Sequence, residues 1–583
     1  MKLRHLRIHN FRSIVDADIE VHDYTMIVGA NNAGKSNIIS ALRAFYEDIK
    51  HGGDDIPKMK DAQVDESWIE LTFDLTEGEW EGLADKYKQG AAVRVLTVRR
   101  YFVSKERVKA SQSNIYAIIN GELEKDLFYG AKNVGTAKVG SIIYIPALTT
   151  AADQMKTSGP SPLRDMLNLM LKRVVADSAA FKEMEGAFGK LNDEARGEEG
   201  FLSKISKPIN QSIEQWGIRF DMGVSPIAPE DITKNLIRHS FVDAMLGETS
   251  FALDRYGHGF QRSFLYELIK LAPSFVESKA AAKKEFDPDF TLILFEEPEA
   301  FLHPAQQENM AYHLRRLGAG ATQQVIVTSH SPIFVGKVAD DLCQVVRVRR
   351  DNGVSSIGQI KKDVLANVLG QGLELKQWVE SYVNDAAVPE NQKKEAKEML
   401  DTATKDEELA VQEERFRYQL WLDSERSSLF FADRVILVEG ATERALLGWL
   451  LAKDKDWHEL NRHRIAVVDV MGKYNFHRYI ALLESFGIPY GIILDDDNEK
   501  QHHKVLNEML KNKAGENCLA DIVFVPGCME TFLGKKLPGR NDQKPVQVLK
   551  EIEAGGIAQD KLDELRKLFL KALALEAQQP AAA

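Results

Sequence analysis

The segment Gly29-Ala30-Asn31-Asn32-Ala33-Gly34-Lys35-Ser36 constrains this chain more than any other. It has the spacing G-x-x-x-x-G-K-[ST], and it stands between the β-rich apolar run Tyr24–Val28 and a run of helical pattern, NIISALRAFYEDI. A strand that turns tightly into a helix wraps backbone N–H groups around an anion at the positive end of the helix dipole. The glycines let the backbone curl, the Lys35 ammonium reaches the β/γ oxygens of a nucleoside triphosphate, and the Ser36 hydroxyl faces its Mg²⁺. ATP and one Mg²⁺ are the expected ligands, with Asn31, Asn32, Gly34 and Asn37 completing the cradle.

A chain of 583 residues has room for about three to five domains. Its 44% hydrophobic and 28% charged residues are those of a globular protein with sizeable cores. The three cysteines, Cys343, Cys518 and Cys528, form no C-x-x-C pair, which excludes a disulfide scaffold and argues against zinc. No apolar run approaches the about 18 residues of a membrane span, and MKLRHLRIHNFRSI has no apolar core followed by a cleavage site. A cytoplasmic protein without membrane contact is expected. The net charge of −12 excludes a general polyanion binder. Any nucleic-acid contact then needs bound metal or local basic tracks, for which Arg99, Arg100, Arg347, Arg349, Arg350, Lys361 and Lys362 are candidates.

Periodicity divides the chain into an α/β arrangement of five parts. The pattern is β-like over 67–119, helical and highly charged from Pro162 to about Asp243, and strand-like again at TLILFEEPE and QVIVTSHSP. Residues 388–428 are rich in Glu, Lys and Gln and lack glycine, as in a solvated helical linker. Beyond it RVILVEG, RIAVVDVMG, YGIILDDD and DIVFVPG alternate with helical segments, the rhythm of a parallel α/β domain. The expected divisions are 1–161, 162–243, 244–385, 386–430 and 431–583.

Two sets of acids stand at strand ends. Leu292–Phe295 runs into Glu296 and Glu297, where one carboxylate would hold Mg²⁺ through water and the next would polarise the attacking water of ATP hydrolysis. The strand ending at Thr328 leads to His330, which is placed to sense a γ-phosphate. In the carboxy-terminal region Val435–Val438 runs into Glu439, with Glu443 one helical turn on. Gly491–Leu494 runs into Asp495, Asp496 and Asp497, and Glu530 follows Phe524–Pro526. Carboxyl ends of parallel strands share a crevice, and carboxylates gathered there repel unless a cation joins them. Oxygen ligands alone point to Mg²⁺ or Mn²⁺. Asp469 reads as structural, and Gly472 as the residue that permits the turn after it.

The P-loop, EEPEAFLHP and VTSHSP, in this order and preceded by NFRSI (Asn10–Ile14), resemble the ABC-type ATPase heads of DNA-repair and chromosome-maintenance proteins. The resemblance implies a Gly-rich signature that completes the ATP site of a second head. Tyr256–Ser263 is the candidate, with Gly257, Gly259 and Gln261 on the nucleotide. VEGATE followed by ILDDDN resembles a Toprim domain. An ABC-type head with a helical dimerisation insertion, followed by a Toprim domain, resembles the OLD (overcoming lysogenization defect) nucleases, among them the Gabija antiphage nuclease. The resemblance implies two metals held by Glu439, Glu443, Asp495, Asp497 and Glu530, and a catalytic lysine for which Lys544 is the candidate, with Lys535 and Lys536 as rivals. The family's serine or threonine two residues before the last acid is Cys528 here, which puts that ligand in doubt. It further implies ATPase activity, metal-dependent nicking or double-strand cleavage of DNA in antiphage defence, a homodimer or larger oligomer, and a helicase or reverse-transcriptase partner encoded nearby. The rival reading is an ATP-driven DNA clamp for repair or chromosome maintenance, with a non-catalytic Toprim-like domain. A topoisomerase or primase is a third reading; the former needs a tyrosine nucleophile in a separate DNA-binding module, and the sequence offers no candidate module.

Overall fold

The computed structural model describes residues 1–58, 64–88, 93–133, 137–147, 178–197, 199–225, 227–232, 288–300, 302–336, 339–386, 407–421, 426–496, 501–535 and 542–575, with shorter pieces between them. These residues form two compact units.

The first unit comprises Met1–Lys2, Phe73–Leu96 and Ala117–Val327. Its central strand Thr291–Glu296 is buried from Thr291 through Phe295 and runs parallel to Ser141–Ile145, with Leu292 opposite Ile142 and Phe295 opposite Ile145. An unbroken apolar run suits a parallel strand covered on both faces. The helix Pro304–Gly318 follows, opened by Pro304 at its first position and by the His303 ring, which accepts from Ala305 N–H at 3.4 Å. It buries Met310, Ala311, Leu314 and Leu317. Within the expected helical insertion, helices Ala179–Arg196 and Phe201–Ile213 pack on each other. The second carries Phe201, Ile205 and Ile209 at helical spacing on its exposed side, and Trp216 and Ile218 beyond it are also exposed.

The second unit comprises Leu3–Thr72, Thr97–Tyr116 and Thr328–Ala583. At its amino-terminal end Lys2–Phe11 pairs antiparallel with Ile14–Glu20. The fully buried strand Tyr24–Val28 lies parallel to Val345–Asp351, which turns back antiparallel along Val354–Gly358. The carboxy-terminal region forms a four-stranded sheet in the order Ile465–Asp469, Arg434–Val438, Tyr490–Asp495, Val523–Val525, every neighbouring pair parallel. The chain starts on a central strand, goes out to one side and returns to the other. This reversal opens a crevice at the carboxyl ends of Arg434–Val438 and Tyr490–Asp495. Leu446, Leu447 and Leu450 of the following helix, with Trp457 and Phe569, pack on Ile436, Val438 and Ile493 to form the core.

Two sequence expectations are corrected here. The linker is helical over Glu407–Trp421, yet it is not simply solvated, because Glu414 and Tyr418 are buried. Glu414 forms a two-pronged ion pair with Arg478 of helix Phe476–Ser485, Nε to Oε2 at 2.7 Å and Nη2 to Oε1 at 2.6 Å. Charge density along the sequence does not reveal a carboxylate whose guanidinium partner lies far along the chain. Arg347 does not belong to an exposed phosphate track either. It is buried and donates to the carbonyls of Ala432 at 2.8 Å and Gly487 at 3.2 Å, tying its strand to the carboxy-terminal sheet. Of the same set, Arg99 pairs with Glu70, Arg100 with Glu47, Arg349 with Asp351 and Lys361 with Asp18. At Gly358 a Cβ would lie 2.2 Å from Phe486 O, so hairpin and carboxy-terminal domain meet backbone against side-chain-free backbone.

Candidate functional site

The P-loop is shaped by two glycines and held by hydroxyls. Gly29 has φ +145° and a Cβ there would lie 2.2 Å from Val348 O; Gly34 has φ +112° and a Cβ there would lie 2.3 Å from Ser355 Oγ. Both positions therefore require glycine. Ser355 Oγ donates to Ala33 O at 2.6 Å and shares a 2.7 Å hydrogen bond with Ser13 Oγ, which also accepts from Asn37 Nδ2 at 2.7 Å. Arg12 reaches Ser40 Oγ at 2.8 Å and pairs with Asp55 at 2.7 Å. NFRSI thus acts mechanically: its arginine and serine brace the loop and the first turns of helix Lys35–Phe45. Lys35 is buried, its Nζ donating to the carbonyls of Gly29 at 3.0 Å and Ala30 at 2.9 Å. Past the strand Gln323–Thr328, Ser329 N donates to Ile27 O and Ser331 N to Ser329 Oγ, fixing the backbone on both sides of His330.

Glu296 and Glu297 end their strand in the first unit. The Tyr144 hydroxyl donates to Glu296 Oε2 at 2.9 Å. Glu297 has φ +47°, a left-handed conformation that a side-chain-bearing residue adopts at a cost of about 1–3 kcal/mol. Its carbonyl accepts from Ala300 N in the turn that follows.

At the carboxyl rim of the parallel sheet, Glu439 follows Val438 directly and Glu443 lies in the first turn of helix Ala441–Lys453. Glu443 Oε2 accepts from Gly440 N at 3.0 Å. Burial, reinforced by the neighbouring Glu439 and Glu530 charges, pushes the Glu443 carboxyl up to about 7. Glu530 takes the Lys544 ammonium at 2.7 Å. Its burial would raise its pKa, but the hydrogen bonds from Lys544, its own backbone N–H and Cys528, together with the Lys544 charge, outweigh that and hold it below the usual carboxylate range. Asp495 closes the next strand, and its carbonyl accepts from the buried Lys473 Nζ at 2.7 Å. Glu443 is therefore close enough to sense both Glu439 and Glu530, carboxylates with the donor chemistry of a hard divalent cation. Among the described residues no three of these groups are placed to hold an ion by themselves.

A family model described as an AAA ATPase domain matches residues 1–128 and 101–335, more than half of the chain, and one described as the overcoming lysogenization defect protein-like TOPRIM domain matches 430–497. The chain belongs to the AAA ATPase domain family and carries an OLD-like TOPRIM domain. The Old nuclease of Escherichia phage P2 is 25% identical over 509 residues, covering 85% of this chain and 77% of that protein. The OLD nuclease of Thermus scotoductus is 23% identical over 591 residues, covering 95% and 96%. Endonuclease GajA of Bacillus cereus strain VD045 is 22% identical over 582 residues, covering 94% and 85%. The chain is thus an enzyme that joins an ATPase to a Toprim nuclease domain. Among the described residues no helix is long and apolar enough to cross a membrane.

Of the OLD-type site residues expected from sequence, Asn31, Asn32, Gly34, Lys35, Ser36 and Asn37 share the braced P-loop, and Glu439, Glu443, Asp495 and Glu530 share the Toprim rim. Gly257, Gly259, Gln261, Asp497 and Lys536 lie outside the described residues. Lys544 sits on Glu530, whereas its rival Lys535 pairs with Glu551 at 2.9 Å. Cys528 Sγ lies 3.2 Å from Thr531 Oγ1. Asp469 is buried between Arg426 at 2.5 Å and Arg444 at 3.1 Å, and so anchors the helix that carries Glu443; Gly472 turns the chain at φ +106°. Sequence reading missed Lys473 and Ser355. The Met471-Gly472-Lys473 turn after a strand was the available signal for the first, while nothing local marks the second.

Proposed function

We propose that this chain is an ATP-binding and ATP-hydrolysing DNA endonuclease that depends on Mg²⁺ or Mn²⁺, nicks or cuts both strands, and serves in antiphage defence in the cytoplasm. The observation that supports the reading is that Glu439 follows and Asp495 ends neighbouring parallel strands at the switch point of the sheet, with Glu443 feeling the Glu439 and Glu530 charges, on a chain that also carries a braced P-loop. These four residues and Asp497 would hold two divalent ions, which when bound supply the Lewis acidity that phosphodiester hydrolysis needs. Lys544, fixed on Glu530, brings a positive charge to the rim where a scissile phosphate would approach. Asp469, Arg444 and Lys473 keep the carboxylate-bearing backbone in position. In the ATPase, Lys35 and Ser36 would hold the phosphates and a third ion, Glu296 would hold Mg²⁺ through water, Glu297 would orient the attacking water, and His330 would report the γ-phosphate, with Gly257, Gly259 and Gln261 supplied by a second head.

Self-association through 162–243 is part of the same reading, supported by the exposed apolar face of Phe201, Ile205 and Ile209. DNA is the substrate, in keeping with the endonuclease names of the relatives. A helicase or reverse transcriptase encoded nearby would be the partner. The clamp with an inactive Toprim domain remains the second reading, favoured by the lack of a closed ligand set among the described residues. The deciding experiment incubates the purified chain with supercoiled plasmid and Mg²⁺ or Mn²⁺. Glu439→Ala and Asp495→Ala should each abolish cleavage and leave ATP hydrolysis intact, and Lys35→Ala should abolish hydrolysis. No cleavage by the wild type, or normal cleavage by both rim variants, transfers the assignment to the clamp.

A further inference from the structure

Within the second unit a cavity of about 650 Å³ separates residues 30–33 of the P-loop from the amino-terminal ends of the Toprim strands. It lies at the opposite end of the Toprim sheet from the carboxylates. Three of its arginines, Arg347, Arg349 and Arg350, come from the ATPase strand Val345–Asp351. Arg434 opens the first Toprim strand, and Arg462 and Arg464 lead into the next.

Among the described residues two acids line this cavity, and each is already engaged: Asp351 with Arg349 at 2.9 Å and Asp433 with Arg464 at 2.7 Å. The other four arginines have no carboxylate in salt-bridge range among the described residues. Arg347 and Arg434 are held by backbone carbonyls, Arg350 by Gly353 O and Asn32 Oδ1, and Arg462 by the His463 ring. The crowding is felt electrostatically. Burial and then the Arg349 charge push Arg347 down to about 10, and burial and then Arg462 and Arg434 lower His463. A chamber that crowds six guanidinium groups, with Arg347 buried among them, is stabilised by a multivalent anion, and planar guanidinium forks match phosphate oxygens. The volume is that of a small-ligand site. A duplex backbone would instead need its cations strung along a surface.

We propose that this cavity binds a small polyphosphate, inorganic or carried by a nucleoside, at a site that borders the phosphate cradle of the P-loop and shares Asn31 and Asn32 with it. Neither Lys35 nor Ser36 lines it. Arg350 holds Asn32 of the P-loop at 3.1 Å, so an occupant of the cavity touches the nucleotide loop and the root of the nuclease sheet together.

The test is calorimetric titration of the full chain with inorganic tripolyphosphate. The Lys35→Ala variant, crippled at the P-loop, should still bind tripolyphosphate, with affinity within about twofold of the second, Lys35-independent site of the wild type. Adding Arg349→Ala and Arg462→Ala, both at exposed or half-exposed positions, should weaken that binding by about tenfold or more without lowering the melting temperature of the unliganded protein. Lysine at the same two positions should restore part of it. ATP binding to Lys35→Ala at least as tightly as tripolyphosphate assigns the site to a nucleotide, and weaker ATP binding assigns it to inorganic polyphosphate; both uphold it. Loss of all tripolyphosphate binding in Lys35→Ala overturns the proposal. So does binding indifferent to the arginine substitutions, or binding of short duplex DNA through these arginines where tripolyphosphate does not bind.

Discussion

At Gly34 the backbone sits at φ +112°, and a methyl group there would press on the Ser355 hydroxyl that supports Ala33 O. Gly34→Ala should therefore lose measurable binding of a fluorescent ATP analogue and destabilise the chain by about 1–3 kcal/mol in urea unfolding. Glu443 makes a different case, because its cost depends on pH. Its carboxyl is raised from 4.5 to about 7 in the folded protein, chiefly by burial, so folding favours its protonated form. The associated stability is complete below the unfolded pKa and is lost as pH rises from there through 7. In chelator-treated protein Glu443→Gln, which keeps an acceptor for Gly440 N–H, should match the wild type near pH 4 and exceed its stability by on the order of 3 kcal/mol above pH 8. Thermal melts across that range decide it; a variant less stable than wild type at pH 8 without metal would contradict the burial of this carboxylate.

Elements were legible in the sequence wherever a signal is local. A P-loop declares itself within eight residues, and apolar strands that end in acids announce both the parallel sheet and its rim. What could not be read depends on partners distant along the chain. Arg347 looks like one member of a basic triplet, yet its hydrogen bonds go to carbonyls 85 and 140 residues away. Glu414 sits in a charged helical run, and only the fold shows that Arg478 is buried against it. That pair joins helix Glu407–Trp421 to helix Phe476–Ser485. Glu414→Ala should strand a buried guanidinium and cost about 3–5 kcal/mol, whereas the double change Glu414→Leu with Arg478→Met should cost much less. Calorimetric melting of the three proteins measures the difference. A single substitution as mild as the double would mean that Arg478 finds water or another acceptor.

For the whole molecule, the proposed self-association has an exposed surface through which to act. Phe201, Ile205 and Ile209 form an exposed apolar stripe, continued by Trp216 and Ile218. A stripe of this kind is stable in water when another surface covers it. Ile205→Asp with Ile209→Asp should shift the oligomer toward monomer by about tenfold or more in its dissociation constant, measured by light scattering at micromolar concentration. An unchanged mass would relocate the contact. The close approach of Gly358 to Phe486, together with the grip of Arg347 on Ala432 and Gly487, carries a consequence of another kind. Nuclease and ATPase here are not beads on a string that recombination can trade between lineages. A Toprim domain from a relative would have to bring two backbone carbonyls into register with Arg347, against a glycine that tolerates no new side chain. The two halves are bound to drift together, each substitution at the seam admitted only if its opposite number allows it.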